Sequence, residues 1–320
     1  MSEAIVFLDA STVGPGVIVK RPSIEHSWQV FESTAPELVA DRLVGASIAL
    51  TNKVPVTAET LAACPTLKMI SVAATGYDII DIGACRKHGV AVSNVRGYAV
   101  NTVPEHTFAL ILALRRNLVQ YRAQVLDGEW VRSQNFCFFN EPIRDLAGST
   151  LGIIGAGSIG RSVGAIGAAF GMTVRYFDAF ARDVPEHGRL VGLQELARSA
   201  DVLTCHCPLT PETTAMVDAG FLAQMKPTAI VINTARGGII DEPALAQALR
   251  QGQIAGAGID VVGVEPAPHD SAIMQVAAMP NVILTPHVAW AGVGAMQALW
   301  DQATGNIDAF VHGRPNHLVT

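Results

Sequence analysis

The sequence predicts an α/β protein built from two doubly wound parallel sheets. Three observations carry that prediction. Short apolar runs alternate with helix-patterned segments along nearly the whole chain, the signature of parallel strands linked by helical crossovers. Half of the residues are hydrophobic and only 16% are charged, as strands covered on both faces require. Glycine is abundant (29 of 320 residues) and aromatics make up 6%, a balance that suits many tight strand-to-helix turns. At roughly 100–200 residues per domain, a chain of this length makes two domains.

The same composition excludes several classes. A chain this apolar is not intrinsically disordered. Lys and Arg total 22 against 28 Asp and Glu, a net charge of −6 with no basic block, so no nucleic-acid partner is expected. The five cysteines (Cys64, Cys85, Cys137, Cys205, Cys207) are odd in number and lack Cys-x-x-Cys spacing, which reads as a reduced, cytoplasmic protein. The first residues lack the basic start and apolar run of a signal peptide. Mean hydropathy is +0.33, but the longest stretch without charged residues, 271–300, is interrupted by Pro280 and Pro286, so no membrane span is expected.

In chain order, 5–9, 46–51, 68–73 and 91–94 read as strands, and 36–44, 58–64 and 82–88 as helices. Loops at 51–53 and 74–77 follow strands at their carboxyl ends, where such sheets bind ligands. A long helix begins near Thr102, whose spacing to Glu105 is that of a capping box, and runs beyond Arg115 with a break before Asp127. Segment 134–142 holds Phe136, Phe138 and Phe139. It is either a loop packed on its own core or an arm inserted into a second subunit, since exposed aromatic clusters mark interfaces. A second α/β unit runs from Ala147 to about His287, and a helical tail returns to the first.

Gly155-Ala156-Gly157-Ser158-Ile159-Gly160 is a G-x-G-x-x-G sequence. An apolar strand precedes it, a helix follows, and a second strand ends at Asp178, 18 residues past Gly160. That context is a dinucleotide-binding Rossmann signature. The glycines let backbone approach a pyrophosphate, and the helix N-terminus faces it with its positive end. Asp178 can accept the adenosine ribose hydroxyls and repel a 2′-phosphate, which favours NAD over NADP. Farther on, three apolar strands deliver polar residues at their carboxyl ends: Arg236 after 229–235, Glu265 after 257–264, and His287 after 282–286.

With these segments the chain resembles the D-isomer-specific 2-hydroxyacid dehydrogenase family. The similarity is carried by 152–160, 232–249, 258–266 and 285–287 and spans nearly the whole chain. Segments 72–76, 101–106 and 285–290 are most similar to the glycerate dehydrogenase (hydroxypyruvate reductase) branch. The resemblance implies a flavodoxin-like substrate domain (1–99 and 288–320) interrupted by a Rossmann NAD-binding domain (100–287) with a dimerisation helix and arm at its start. It implies Arg236, Glu265 and His287 as the catalytic set. Physical chemistry agrees. Arg236 can grip a 2-oxo acid's carboxylate with its planar fork. His287 can donate a proton to the carbonyl oxygen. Glu265 can orient the imidazole and favour its protonated form.

Further implied cofactor contacts are Gly155, Gly157, Ser158, Ile159, Gly160, Asp178, Cys207, Pro208, Thr234, Ala235, Arg236, Asp260 and His287. Asp260 is assigned to the nicotinamide carboxamide, the alternative being a buried core acid. Implied substrate contacts are Asn52, Ala74, Thr75 and Gly76 with Arg236 and His287. No metal is expected, because successive strand residues of Cys205-His206-Cys207 face opposite ways and no second ligand cluster follows. Expected partners are a small 2-oxo or 2-hydroxy acid and a second copy in a homodimer. Formate dehydrogenases resemble this pattern but carry Gln in place of Glu265. A nucleotide-sensing corepressor is the non-enzymatic alternative.

Overall fold

The computed structural model describes residues 2–320. The chain divides into two compact units, Met1–Ala99 with Ala291–Thr320, and Val100–Trp290.

The first unit holds β1 (Glu3–Phe7), β2 (His26–Val30), α1 (Val39–Leu43), β3 (Ile48–Thr51), α2 (Ala58–Ala63), β4 (Met69–Val72), α3 (Ile82–His88) and β5 (Ala91–Ser93). All strand pairs are parallel, in the order β2-β1-β3-β4-β5. This is the flavodoxin-like order. Every residue of β3 and β4 is buried, which is why both read as unbroken apolar runs. Thr57 and Asp81 cap α2 and α3 by accepting the Thr60 and Ala84 N–H groups. The C-terminal helix Val293–Val311 belongs to this unit. Its Ala303 carbonyl accepts from Ser71 Oγ at 2.8 Å, and its Trp300 packs on Phe7 with ring centroids 5.1 Å apart.

The second unit begins with three helices, α4 (Thr102–Arg115), α5 (Leu118–Leu126) and α6 (Glu129–Arg132). There follow β6 (Thr150–Ile154), α7 (Ser158–Ala169), β7 (Thr173–Phe177), β8 (Gly188–Leu190), α8 (Leu193–Ser199), β9 (Val202–Cys205), α9 (Ala219–Leu222), β10 (Ile230–Asn233), α10 (Glu242–Arg250), β11 (Gly256–Ile259) and β12 (Val282–Leu284). The seven strands are parallel, in the order β12-β11-β10-β9-β6-β7-β8. The chain reverses direction across the sheet between β6 and β9, the switch point at which a doubly wound sheet opens a crevice for a ligand.

Three local expectations are corrected. The long helix breaks at Asn117, which has φ +50° and separates α4 from α5. Asn101, not Thr102, is the N-cap residue of α4, and the Thr102 hydroxyl donates to Ala289 O (3.3 Å) instead of closing a capping box. Residues 288–290, expected with the first domain, stay with the second unit. The Val288 and Ala289 N–H groups donate to the Asp260 carboxylate, and Trp290 Nε1 donates to His287 O.

Candidate active site

The nucleotide end of the site is built where β6 and β9 part. Gly155 has φ +100°, and a Cβ there would lie 2.6 Å from the backbone of His206. Only glycine lets the loop after β6 turn against the loop after β9. A Cβ on Gly160 would lie 2.0 Å from Gly155 O, so α7 starts close beneath the loop. A Cβ on Gly157 would meet nothing within 4 Å, leaving open backbone at the start of α7. Ser158, Ile159 and Gly160 form the first turn of that helix, where N–H groups have no intrahelical acceptor. This open, positive cradle fits a pyrophosphate.

Asp178 ends β7 beside it. Its Oδ2 accepts the Ala156 N–H (2.8 Å), and its Oδ1 accepts those of Phe180 (2.9 Å) and Ala181 (3.0 Å). Burial pushes this carboxyl up, but the three backbone N–H groups and the Arg161 charge outweigh it and hold the pKa below the ordinary value. An ionised carboxylate with lone pairs to spare fits a ribose diol. On the β9 side, burial pushes the His206 imidazole down to about 3 and the Cys207 thiol up to about 11, so both stay neutral. Pro208 follows and is exposed.

The reactive end is assembled by β10, β11 and β12. Asn233, buried at the end of β10, accepts the Ala235 N–H and donates to Arg236 O, closing the turn that carries Arg236. One guanidinium N–H donates to Ala235 O (2.7 Å), and among the described residues Arg236 forms no ion pair. The next residue, Gly237, sits against the backbone after β11: a Cβ there would lie 2.0 Å from Val262 C. In that loop the Val262 N–H donates to Glu265 Oε1 (3.1 Å), while Glu265 Oε2 lies 2.6 Å from His287 Nδ1. Glu265 thus holds the imidazole by Nδ1. Thr234 Oγ1, also at the β10 end, lies 3.1 Å from Thr107 Oγ1 of α4.

Asp260 follows β11 and is buried. Its side chain has 0% exposure, and it accepts from Thr285 Oγ1 (2.5 Å), Val288 N and Ala289 N (both 2.9 Å), with His106 Nε2 at 3.5 Å. The carboxylate orders the loop that carries His287. His106, on α4, is a residue that the sequence did not mark as part of the site. Its signal, a ring nitrogen 3.1 Å from Thr285 Oγ1, joins residues 179 positions apart.

The substrate candidates Asn52, Ala74, Thr75 and Gly76 lie in the first unit. The Asn52 and Lys53 N–H groups donate to the buried Asp9 carboxylate. Burial raises the Asp9 pKa although those donors oppose it. The Ala74–Gly76 loop is tied to the end of β5 by Thr75 Oγ1 to Val95 O and by Asn94 Nδ2 to Thr75 O. Among the described residues no group of three His, Cys, Asp or Glu side chains could hold a metal ion, and no helix is long and apolar enough to cross a membrane.

Residues 108–289 match the family model for the D-isomer specific 2-hydroxyacid dehydrogenase NAD-binding domain. The chain belongs to this family. Glycerate dehydrogenase of Methylorubrum extorquens is 49% identical over 320 residues, covering 100% of this chain and 99% of its own length. Hydroxypyruvate reductase of Blautia hydrogenotrophica is 36% identical, over 98% of this chain and 99% of its own. D-Lactate dehydrogenase of Aquifex aeolicus, solved with NAD and lactic acid, superimposes with a TM-score of 0.84 at 29% identity, covering 98% and 96% of the two chains. The family member described here is an NAD-dependent oxidoreductase acting on 2-hydroxy acids.

Proposed function

We propose that the chain reduces hydroxypyruvate to D-glycerate with NADH and catalyses the reverse oxidation. The observation that carries this reading is the Glu265–His287 pair, 2.6 Å apart, beside the strand end that bears Arg236. The glycine loop of Gly155, Gly157 and Gly160 with Asp178 would hold NADH, which would supply the hydride for C2 of the oxo acid. The guanidinium of Arg236 takes the substrate carboxylate and polarises the neighbouring carbonyl. As negative charge develops on that oxygen, His287 Nε2 delivers a proton to it, and the oxo acid becomes a hydroxy acid. Glu265 holds the ring and balances its charge. In the reverse direction the neutral ring takes the proton back. Asn52, Ala74, Thr75 and Gly76 are assigned to substrate contact on the family resemblance.

The ionised Asp178 supports a preference for NADH, because a 2′-phosphate would meet its negative charge. Hydroxypyruvate is chosen over glyoxylate because the most similar of the relatives above is a glycerate dehydrogenase. The two oxo acids differ by one small group, which a pocket separates by only about 1–3 kcal/mol. The exposed apolar face of α5, α6 and the following arm supports a homodimer.

The test is a kcat/KM panel over hydroxypyruvate, glyoxylate and pyruvate with NADH and NADPH, repeated with Arg236→Lys. Hydroxypyruvate with NADH should lead. The lysine variant should lose far more than conserved charge suggests, since lysine lacks the fork. Absence of cofactor oxidation with every oxo acid would overturn the reading.

A further inference from the structure

We propose that His106 is a positioning residue that holds the His287 loop in its working conformation, acting through Thr285 and Asp260. The proposal rests on the reading of His287 as the proton donor.

The hydrogen bonds fix their own direction. Thr285 Oγ1 has one proton and gives it to Asp260 Oδ1. Toward His106 Nε2, 3.1 Å away, the hydroxyl can therefore only accept, so His106 donates from Nε2. The same nitrogen lies 3.5 Å from Asp260 Oδ1. A directed chain runs from His106 to Thr285 to Asp260. From there it spreads to the loop: the Asp260 side chain takes the Val288 and Ala289 N–H groups, and its backbone carbonyl takes that of His287 (2.8 Å).

The loop needs such restraint. His287 has φ +54°, a left-handed conformation that a residue with a side chain rarely adopts without its surroundings imposing it. Its N–H is held by Asp260 O and Thr285 O, and its carbonyl by Trp290 Nε1. The ring then meets Glu265 at 2.6 Å. Helix α4 braces this loop at a second point, through the Thr102 hydroxyl on Ala289 O. The same helix touches the Arg236 strand end through Thr107 and Thr234. One helix thus carries contacts to both segments that present the reacting side chains, and His106 is its link to the proton donor.

Without the Nε2 donor, the Thr285 hydroxyl loses the partner that aims it at Asp260, and the loop relaxes away from the left-handed turn. The imidazole then leaves its place beside Glu265 and delivers the proton late. Glutamine reaches as far as histidine and keeps an N–H donor at its end. Leucine fills similar space and donates nothing.

The experiment compares His106→Leu with His106→Gln in the whole protein. His106→Leu should lower kcat for oxo acid reduction by about 10- to 100-fold, the scale of a small misplacement of a reacting group. Its NADH affinity, read by fluorescence, should stay near the native value. The solvent deuterium isotope effect on kcat should rise as proton delivery becomes limiting. His106→Gln should recover most of the rate and the native isotope effect. Independently of turnover, the imidazole Nδ1 proton resonance of His287, assigned by its loss in His287→Asn, should broaden or move in the leucine variant and persist in the glutamine variant. Equal loss in both variants, or an unchanged resonance in His106→Leu, overturns the proposal. If the native protein turns over no oxo acid, the proposed function fails, and the resonance alone decides the positioning role.

Discussion

Asp178 gathers three backbone N–H groups at the end of β7 and carries a pKa below the ordinary carboxylate value in the folded chain. A depressed folded pKa contributes stability above the unfolded value of about 3.9, and that contribution is lost as pH falls through the folded value. The gap in urea midpoint between the native protein and Asp178→Asn should therefore be widest near neutral pH and shrink below about pH 4. A gap that widens on acidification would contradict this account of the site. Asp178 was legible because its place is set by chain distance from the glycine loop. Asp260 was not. Sequence shows an acid at a strand end, but only the fold reveals that its carboxylate faces a loop 25–29 residues later. His106 was less legible still, since both of its partners lie more than 150 positions away along the chain.

Among elements, the buried strands declared themselves, as did the edge strands β5 and β12, while the exposed edges β2 and β8 did not. β3, β4, β9, β10 and β11 are buried at every residue and read as continuous apolar runs. β2 and β8 stand at sheet edges with most residues partly or wholly exposed, so no apolar run marks them. The turns between strands and helices were legible as positions but not as contacts. Gly237 is the case with a chemical consequence. Its missing Cβ brings the Arg236 turn against the backbone of Val262 and Gly263, next to the loop that ends in Glu265. Since backbone rather than a flexible side chain stands in the way, Gly237→Ala must push the two loops apart. A displacement near 1 Å can cost about 10²-fold in rate. The variant should lose kcat/KM on that scale, while NADH binding at the distant glycine loop weakens much less. Native-like turnover by Gly237→Ala would show that the two loops need not touch.

At the scale of the molecule, the unmatched surface is the apolar one. Val131 and Phe136 are each 89% exposed and Phe139 83%, with Leu118, Val119, Leu126 and Trp130 also at the surface. Within the aromatic segment only Phe138 turns inward, packing on Tyr121 of α5 with ring centroids 5.6 Å apart. Sequence left open whether this segment packs on its own core or on another subunit. The rings divide the answer: Phe138 anchors the arm, and Phe136 and Phe139 project from it. Exposed aromatic and aliphatic side chains gathered on one stretch mark a contact surface. A second copy offers a self-complementary cover, because a two-fold pairing sets the same patch against itself. Stable pairs bury about 1,200–2,000 Å² in total, with aromatic anchors near the centre. Sedimentation of the native protein should therefore give a dimer. Val131→Asp combined with Phe136→Asp should give a monomer, because a desolvated unpaired carboxylate strongly disfavours association. Neither position enters the core of its own chain, so the far-ultraviolet spectrum should be retained. If the double variant sediments like the native protein, the patch serves some other contact. If the native protein is itself a monomer at micromolar concentration, the homodimer assignment falls.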